Sequence, residues 1–145
     1  MSTATVPRRL KFHGALLFLI GLVTGLLVPV LANPRMGVSA HLEGVLNGTF
    51  LIVLGLIWNE LRLSQRMARA AFLLIVYAAY ANWTSTTLAA AWGTGKLTPI
   101  AAGGRLGAPW QEAVVSAGLI SLSLAIVAGL TLVVNGLRGA GPEQS

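Results

Sequence analysis

Cysteine is absent from the 145 residues, which excludes disulfides, thiolate nucleophiles, iron–sulfur ligation and cysteine-based zinc sites. Histidine is nearly absent too, since His13 and His41 are the only two. Any metal must therefore be held by imidazole, carboxylate or backbone. Charge is equally scarce. Charged residues make up 10% of the chain, against roughly 25% in soluble domains, so a water-facing surface cannot be built from this inventory. The chain also lacks a phosphate loop, a nucleophile elbow and an HExxH pair. Nor do its apolar stretches carry the succession of ionisable residues that proton-coupled transport requires.

What is present is apolar: hydrophobic residues form 55% of the sequence and the mean hydropathy is +0.77. A bilayer span needs about 20 such residues at a rise near 1.5 Å each. Four segments qualify, at residues 14–32, 40–58, 70–92 and 110–137. The expected fold is all-α, an integral membrane four-helix bundle, and the chain is short enough for 1–145 to form one membrane domain. The first segment, GALLFLIGLVTGLLVPVLA, follows Arg8, Arg9 and Lys11 and so has the look of a signal peptide. It is longer than the roughly 7–15 residues of a signal core, which favours a retained span.

Connections follow from turn chemistry. Asn33-Pro34-Arg35-Met36-Gly37 reads as a turn, with Ser39 as the N-cap of the second helix. Residues 59–69 form a polar connector, and residues 93–109 form a longer glycine-rich one. Pro109 suits the first turn of the fourth helix. The tail 138–145 is expected to be disordered.

The net charge of +6 has a simple reading in this setting. Arg8, Arg9, Lys11, Arg62, Arg66, Arg69 and Arg138 fall on one side of the predicted membrane, and Arg35, Lys96 and Arg105 on the other. The bias places both termini in the cytoplasm, as for a multi-pass protein of a bacterial-type inner membrane, and leaves no role for nucleic acid. Trp58, Trp92 and Trp110 lie near span ends as an aromatic belt does, whereas Trp83 lies deeper.

The second helix carries the most informative side chains. At 100° per residue, His41, Gly44, Gly48 and Gly55 fall within about 60° of one another. One imidazole thus ends a strip with almost no side-chain bulk. Two readings stand side by side. Gly44-x-x-x-Gly48 can be a small-residue contact for another helix, or a flat prosthetic group can lie on the strip with His41 as its axial ligand. Glu43 and Asn47 sit one turn apart on a flank of the same helix. They are either a helix-end charge with an interhelical hydrogen bond, or a group that orients and tunes a polar ligand atom. The third helix holds Tyr77, Tyr80, Asn82, Trp83, Thr84, Ser85, Thr86 and Thr87. Such polarity within a span faces other helices, and Asn82 stands out because a buried amide needs several partners. His13, next to Lys11, reads as an interfacial residue.

The stretch NPRMGVSAHLEGVLNG, residues 33–48, together with Ala81-Asn82, resembles the hydroxylaminobenzene mutases. These are small four-helix membrane isomerases related to styrene oxide isomerase. In the epoxide branch a haem b lies between subunits of a trimer, and its axial histidine is followed six residues later by an asparagine. The resemblance implies His41 as iron ligand, with Gly44 and Gly48 beside the haem. It also implies Asn47, Asn82 and Glu43 around a small aromatic substrate drawn from membrane lipid. The epoxide branch carries a tyrosine about one turn after the third-helix asparagine, where this chain has Thr86. That difference moves the expected activity from styrene oxide isomerisation to conversion of hydroxylaminobenzene into 2-aminophenol. A haem-binding electron-transfer subunit and a non-catalytic scaffold are the alternatives from other classes.

Overall fold

A computed structural model describes residues 5–138; the expected disorder of the tail beyond Arg138 concerns residues outside that range. Among the described residues the chain is helical with no strand. Helix α1 spans Val6–Leu27, α2 Pro34–Ile57, α3 Gln65–Trp92, the single turn α4 Pro99–Ala102, and α5 Pro109–Arg138.

The helices begin earlier than hydropathy alone predicts. Helix α1 starts at Val6 rather than at 14, because Pro7 sits in the first turn and the basic side chains continue the helix. It gives way to a 3-10 turn, Val28–Val30, around Pro29. Helix α2 starts at Pro34, not near Ser39. Asn33 is the N-cap, its Oδ1 accepting the Met36 N–H at 3.2 Å, so the anticipated turn residues form the first helical turns instead. Ser64 caps α3 in the same way. Hydropathy cannot see these turns because amphipathic ends are polar yet helical.

Three of the four long helices are long and apolar enough to cross a bilayer, namely α1 and α2, each with the 3-10 turn that follows it, and α5. Helix α3, at 28 residues or about 42 Å, has the length but not the apolarity. The reason is positional. Helix α3 is the element that packs on α1, α2 and α5 alike, whereas α5 packs extensively on α3 alone. Polar side chains on α3 are therefore spent on neighbouring helices. Tyr77 and Ser121 share a hydrogen bond of 2.7 Å, and the Trp83 Nε1–H donates to Thr24 Oγ1 at 3.0 Å. The result is an open bundle with α1, α2 and α3 in mutual contact and α5 on the outer side of α3.

Consecutive long helices run antiparallel, since Gly14 lies against Gly48 while Gly25 lies against His41, and Ile75 lies against Gly129 while Ser85 lies against Gly118. Seven of the basic residues, from Arg8 to Arg138, thus collect at one end of the bundle, and Arg35, Lys96 and Arg105 at the other. Leu10, Leu17, Leu51 and Ile75 are the fully buried side chains at the three-helix junction.

Candidate functional site

Helix α2 has two working faces, and they point apart. On the first, Gly44 and Gly48 lie against α1. A methyl group at Gly48 would stand 2.6 Å from the Phe18 backbone nitrogen, and one at Gly21 would stand 2.7 Å from the Gly44 backbone. Such distances leave no room for even a Cβ, so the glycine strip is the seam between α1 and α2. This corrects the reading of Gly44 and Gly48 as a cofactor platform, because α1 occupies the strip and no flat group can lie on it. Gly55 continues the seam against Lys11 and Pro7.

His41 lies at the upper end of this seam, half-buried. Its Nδ1–H donates to the Gly21 carbonyl of α1 at 2.9 Å. The bond sets the ring orientation and the tautomer, and leaves Nε2 with its lone pair for a ligand. Gly25 is required here, since a Cβ at that position would lie 2.7 Å from the His41 Nδ1. A groove of about 600 Å³ opens beside the ring, lined by Leu19, Leu22, Val23, Leu26, Val38 and His41 among others. One basic nitrogen at the edge of an apolar groove suits a flat, greasy metal-bearing group better than a bare ion. No cluster of three or more His, Asp or Glu able to hold a bare metal is present among the described residues.

The second face holds Glu43, Asn47 and Asn82. Glu43 Oε2 accepts from the Asn47 side chain one turn along α2, at 3.0 Å, and from the Asn82 side chain on α3, at 2.5 Å. All three side chains are half-buried. The carboxylate thus fixes two amides from two helices, and each amide keeps its oxygen and one N–H for another partner. Glu43 lies about 160° around α2 from His41, and Asn47 about 120°. Sequence reasoning named every member of this group, and helical spacing sets Glu43 and Asn47 apart from His41, but it could not foresee that Asn82 of α3 comes to the same carboxylate.

Thr86 is buried, and its hydroxyl donates to the Asn82 carbonyl at 2.6 Å, so it offers no free acid. His13 is not simply interfacial. Its ring packs on Phe72 and Tyr80, and Nδ1 lies 3.4 Å from the Tyr80 hydroxyl.

Two polar residues organise the connector between α3 and α5: Glu112, which sequence reading passed over, and Asn33, which it took only as part of a turn. Glu112 is 8% exposed, and its carboxylate accepts the backbone N–H groups of Gly95, Lys96 and Gly107 at 2.8–3.0 Å. Asn33 is fully buried, and its Nδ2–H donates to the Ala101 carbonyl at 3.1 Å while its backbone N–H donates to that of Ala90. The available signal was scarcity, for Glu112 is one of only four acidic residues in the chain.

Comparison with known proteins identifies the family of the sequence. The family profile described as styrene oxide isomerase matches residues 6–138. The hydroxylaminobenzene mutase HabB of Ectopseudomonas oleovorans is 51% identical over 143 residues, covering 98% of this chain and 87% of that protein. The mutase HabA of the same organism is 50% identical over 125 residues, covering 86% of this chain and 93% of its own length. No solved structure matches the chain. With a profile that spans every long helix and relatives identical at half their positions, the chain belongs to the styrene oxide isomerase family.

Proposed function

We propose that this protein is a membrane-bound, haem-dependent mutase that rearranges hydroxylaminobenzene to 2-aminophenol. Isomerase activity follows from the family and from the mutase names of both relatives. The observation that carries the finer reading is the Glu43 carboxylate holding Asn47 and Asn82 side by side, on a helix whose other face presents an oriented imidazole.

His41 would hold haem iron through Nε2, with the Gly21 carbonyl steadying the ring and Leu22, Val23 and Leu26 against the macrocycle. Haem iron, when bound, supplies a Lewis acid to the hydroxyl oxygen of the substrate. The rest falls to the side chains. Asn47 and Asn82 grip the N–OH group through the amide atoms that Glu43 leaves free, which fixes the nitrogen and the ortho carbon relative to each other. Apolar walls keep bulk water from capturing the electron-poor ring while the N–O bond weakens. The hydroxyl moves from nitrogen to the ortho carbon and one hydrogen moves from that carbon to nitrogen, so substrate and product have the same composition and no oxidant is consumed.

The imidazole and the amide pair lie on different faces of the helix bundle, which supports a site built between copies, with His41 of one chain facing the amide pair of the next. A homotrimer of the kind the family resemblance implies provides that arrangement. The epoxide-isomerase reading has less support, since Thr86 is hydrogen-bonded to its own helix and no phenol occupies its place. The test is one detergent-purified preparation given hydroxylaminobenzene and styrene oxide separately. Formation of 2-aminophenol with negligible phenylacetaldehyde supports the proposal, and the reverse ratio overturns it.

A further inference from the structure

Polar side chains recur at every turn along one edge of α2. Arg35, Ser39, Glu43 and Asn47 are spaced four residues apart, so each lies over the next and the row winds slowly around the helix. Its lower end is the amide pair held by Glu43. Its upper end opens into a groove of about 380 Å³ between the start of α2 and the connector, lined by Arg35, Ser39, Leu97, Thr98 and Ile100 among others. From Ser39 to Asn47 the row descends about 12 Å.

The roof of this groove is built rather than loose. Glu112 ties down Gly95, Lys96 and Gly107, and Asn33 holds Ala101, so the connector keeps one shape over the start of α2. Its lining combines aliphatic walls with a guanidinium and two hydroxyls. That mixture matches an aromatic ring bearing a small hydrogen-bonding head, and it matches neither a bare ion nor a lipid chain.

We propose that this groove is the mouth of the active site. An arylhydroxylamine enters between Ser39 and Ile100 and is handed down the Ser39–Glu43–Asn47 row to the amide pair, with Ser39 and Ile100 setting the largest ring admitted. The route rests on the mutase reading above. It predicts a size filter at the surface, whereas direct uptake from lipid through the side of the bundle predicts none.

The test compares Ser39→Trp, Ile100→Trp and Leu106→Trp in the haem-loaded protein, using hydroxylaminobenzene and the bulkier 1-hydroxylaminonaphthalene. Ile100 is 83% exposed and Leu106 78%, so both tolerate an indole, and Leu106 lies on the same connector outside this groove. The expected result is a kcat/KM at least tenfold lower for Ser39→Trp and Ile100→Trp, with a larger loss for the naphthyl substrate and an unaltered absorption spectrum. Leu106→Trp should match the unmutated protein. Should Ser39→Trp fail to fold, Ile100→Trp alone decides. An Ile100→Trp protein with unmutated kcat/KM for both substrates, or with equal losses for both, overturns the route while leaving the mutase reading intact. An unmutated protein inactive on both substrates overturns the mutase reading and the route with it.

Discussion

Asn82 of α3 donates its side-chain N–H to Glu43 of α2 at 2.5 Å, joining two helices through the carboxylate that also holds Asn47. A single acidic side chain thereby orients both amides assigned to the substrate.

Glu43→Gln keeps the size of the side chain but turns the carboxyl group into an amide, so a single neutral carbonyl oxygen is left for the two amide donors. Hydrogen bonds to a charged group are worth about 1.5–3 kcal/mol, so kcat should fall about 10- to 100-fold. Haem content should not change, because the iron is assigned to His41 and Glu43 makes no bond to that ring. Steady-state kinetics beside a haem-content measurement check both halves, and loss of haem would contradict the assignment of the iron to His41 alone.

His41→Ala should lose or shift the Soret band and abolish 2-aminophenol formation, while leaving the protein folded. The α1–α2 seam is made by glycines rather than by the imidazole, so thermal unfolding in the haem-free state should change little. Haem-free unmutated protein should be equally inactive and should recover on adding haem, whereas His41→Ala should not.

Gly48→Leu should separate α1 from α2. Its side chain would be driven into the Phe18 backbone and the Gly14 carbonyl, neither of which can move aside without shifting a helix. Overpacking of this kind costs about 1–3 kcal/mol or more, visible as a lower unfolding temperature in detergent. Leu46→Ala, at an exposed position on the same helix, should unfold like the parent protein.

Glu112→Ala should release the connector of residues 93–108. Three backbone N–H groups would lose their acceptor, at a cost of about 1–3 kcal/mol for each that stays buried. Limited proteolysis should then cut within the connector at a rate the parent protein does not show. Glu112→Gln, which keeps an acceptor oxygen, should be cut at an intermediate rate.

Much of this molecule was legible before any coordinates. Four long helices, the basic residues at one end, the proline that opens α5, and the grouping of His41, Glu43, Asn47 and Asn82 as candidates all follow from hydropathy, turn chemistry and helical spacing. These are local properties, set within a few residues of the chain. Helical spacing even states the angle between His41 and Glu43. What periodicity cannot say is which neighbour covers each face, because that depends on helices distant in sequence. Only the tertiary structure decided that α1 fills the Gly44–Gly48 strip, that the Gly21 carbonyl orients His41, and that Asn82 comes 39 positions along the chain to share Glu43 with Asn47. The same holds for Glu112, which nothing in the local sequence singles out and whose carboxylate acquires three N–H partners only when the connector folds over it. A helix presents its side chains in a fixed order, but packing selects which of them meet a partner and which stay open to a ligand.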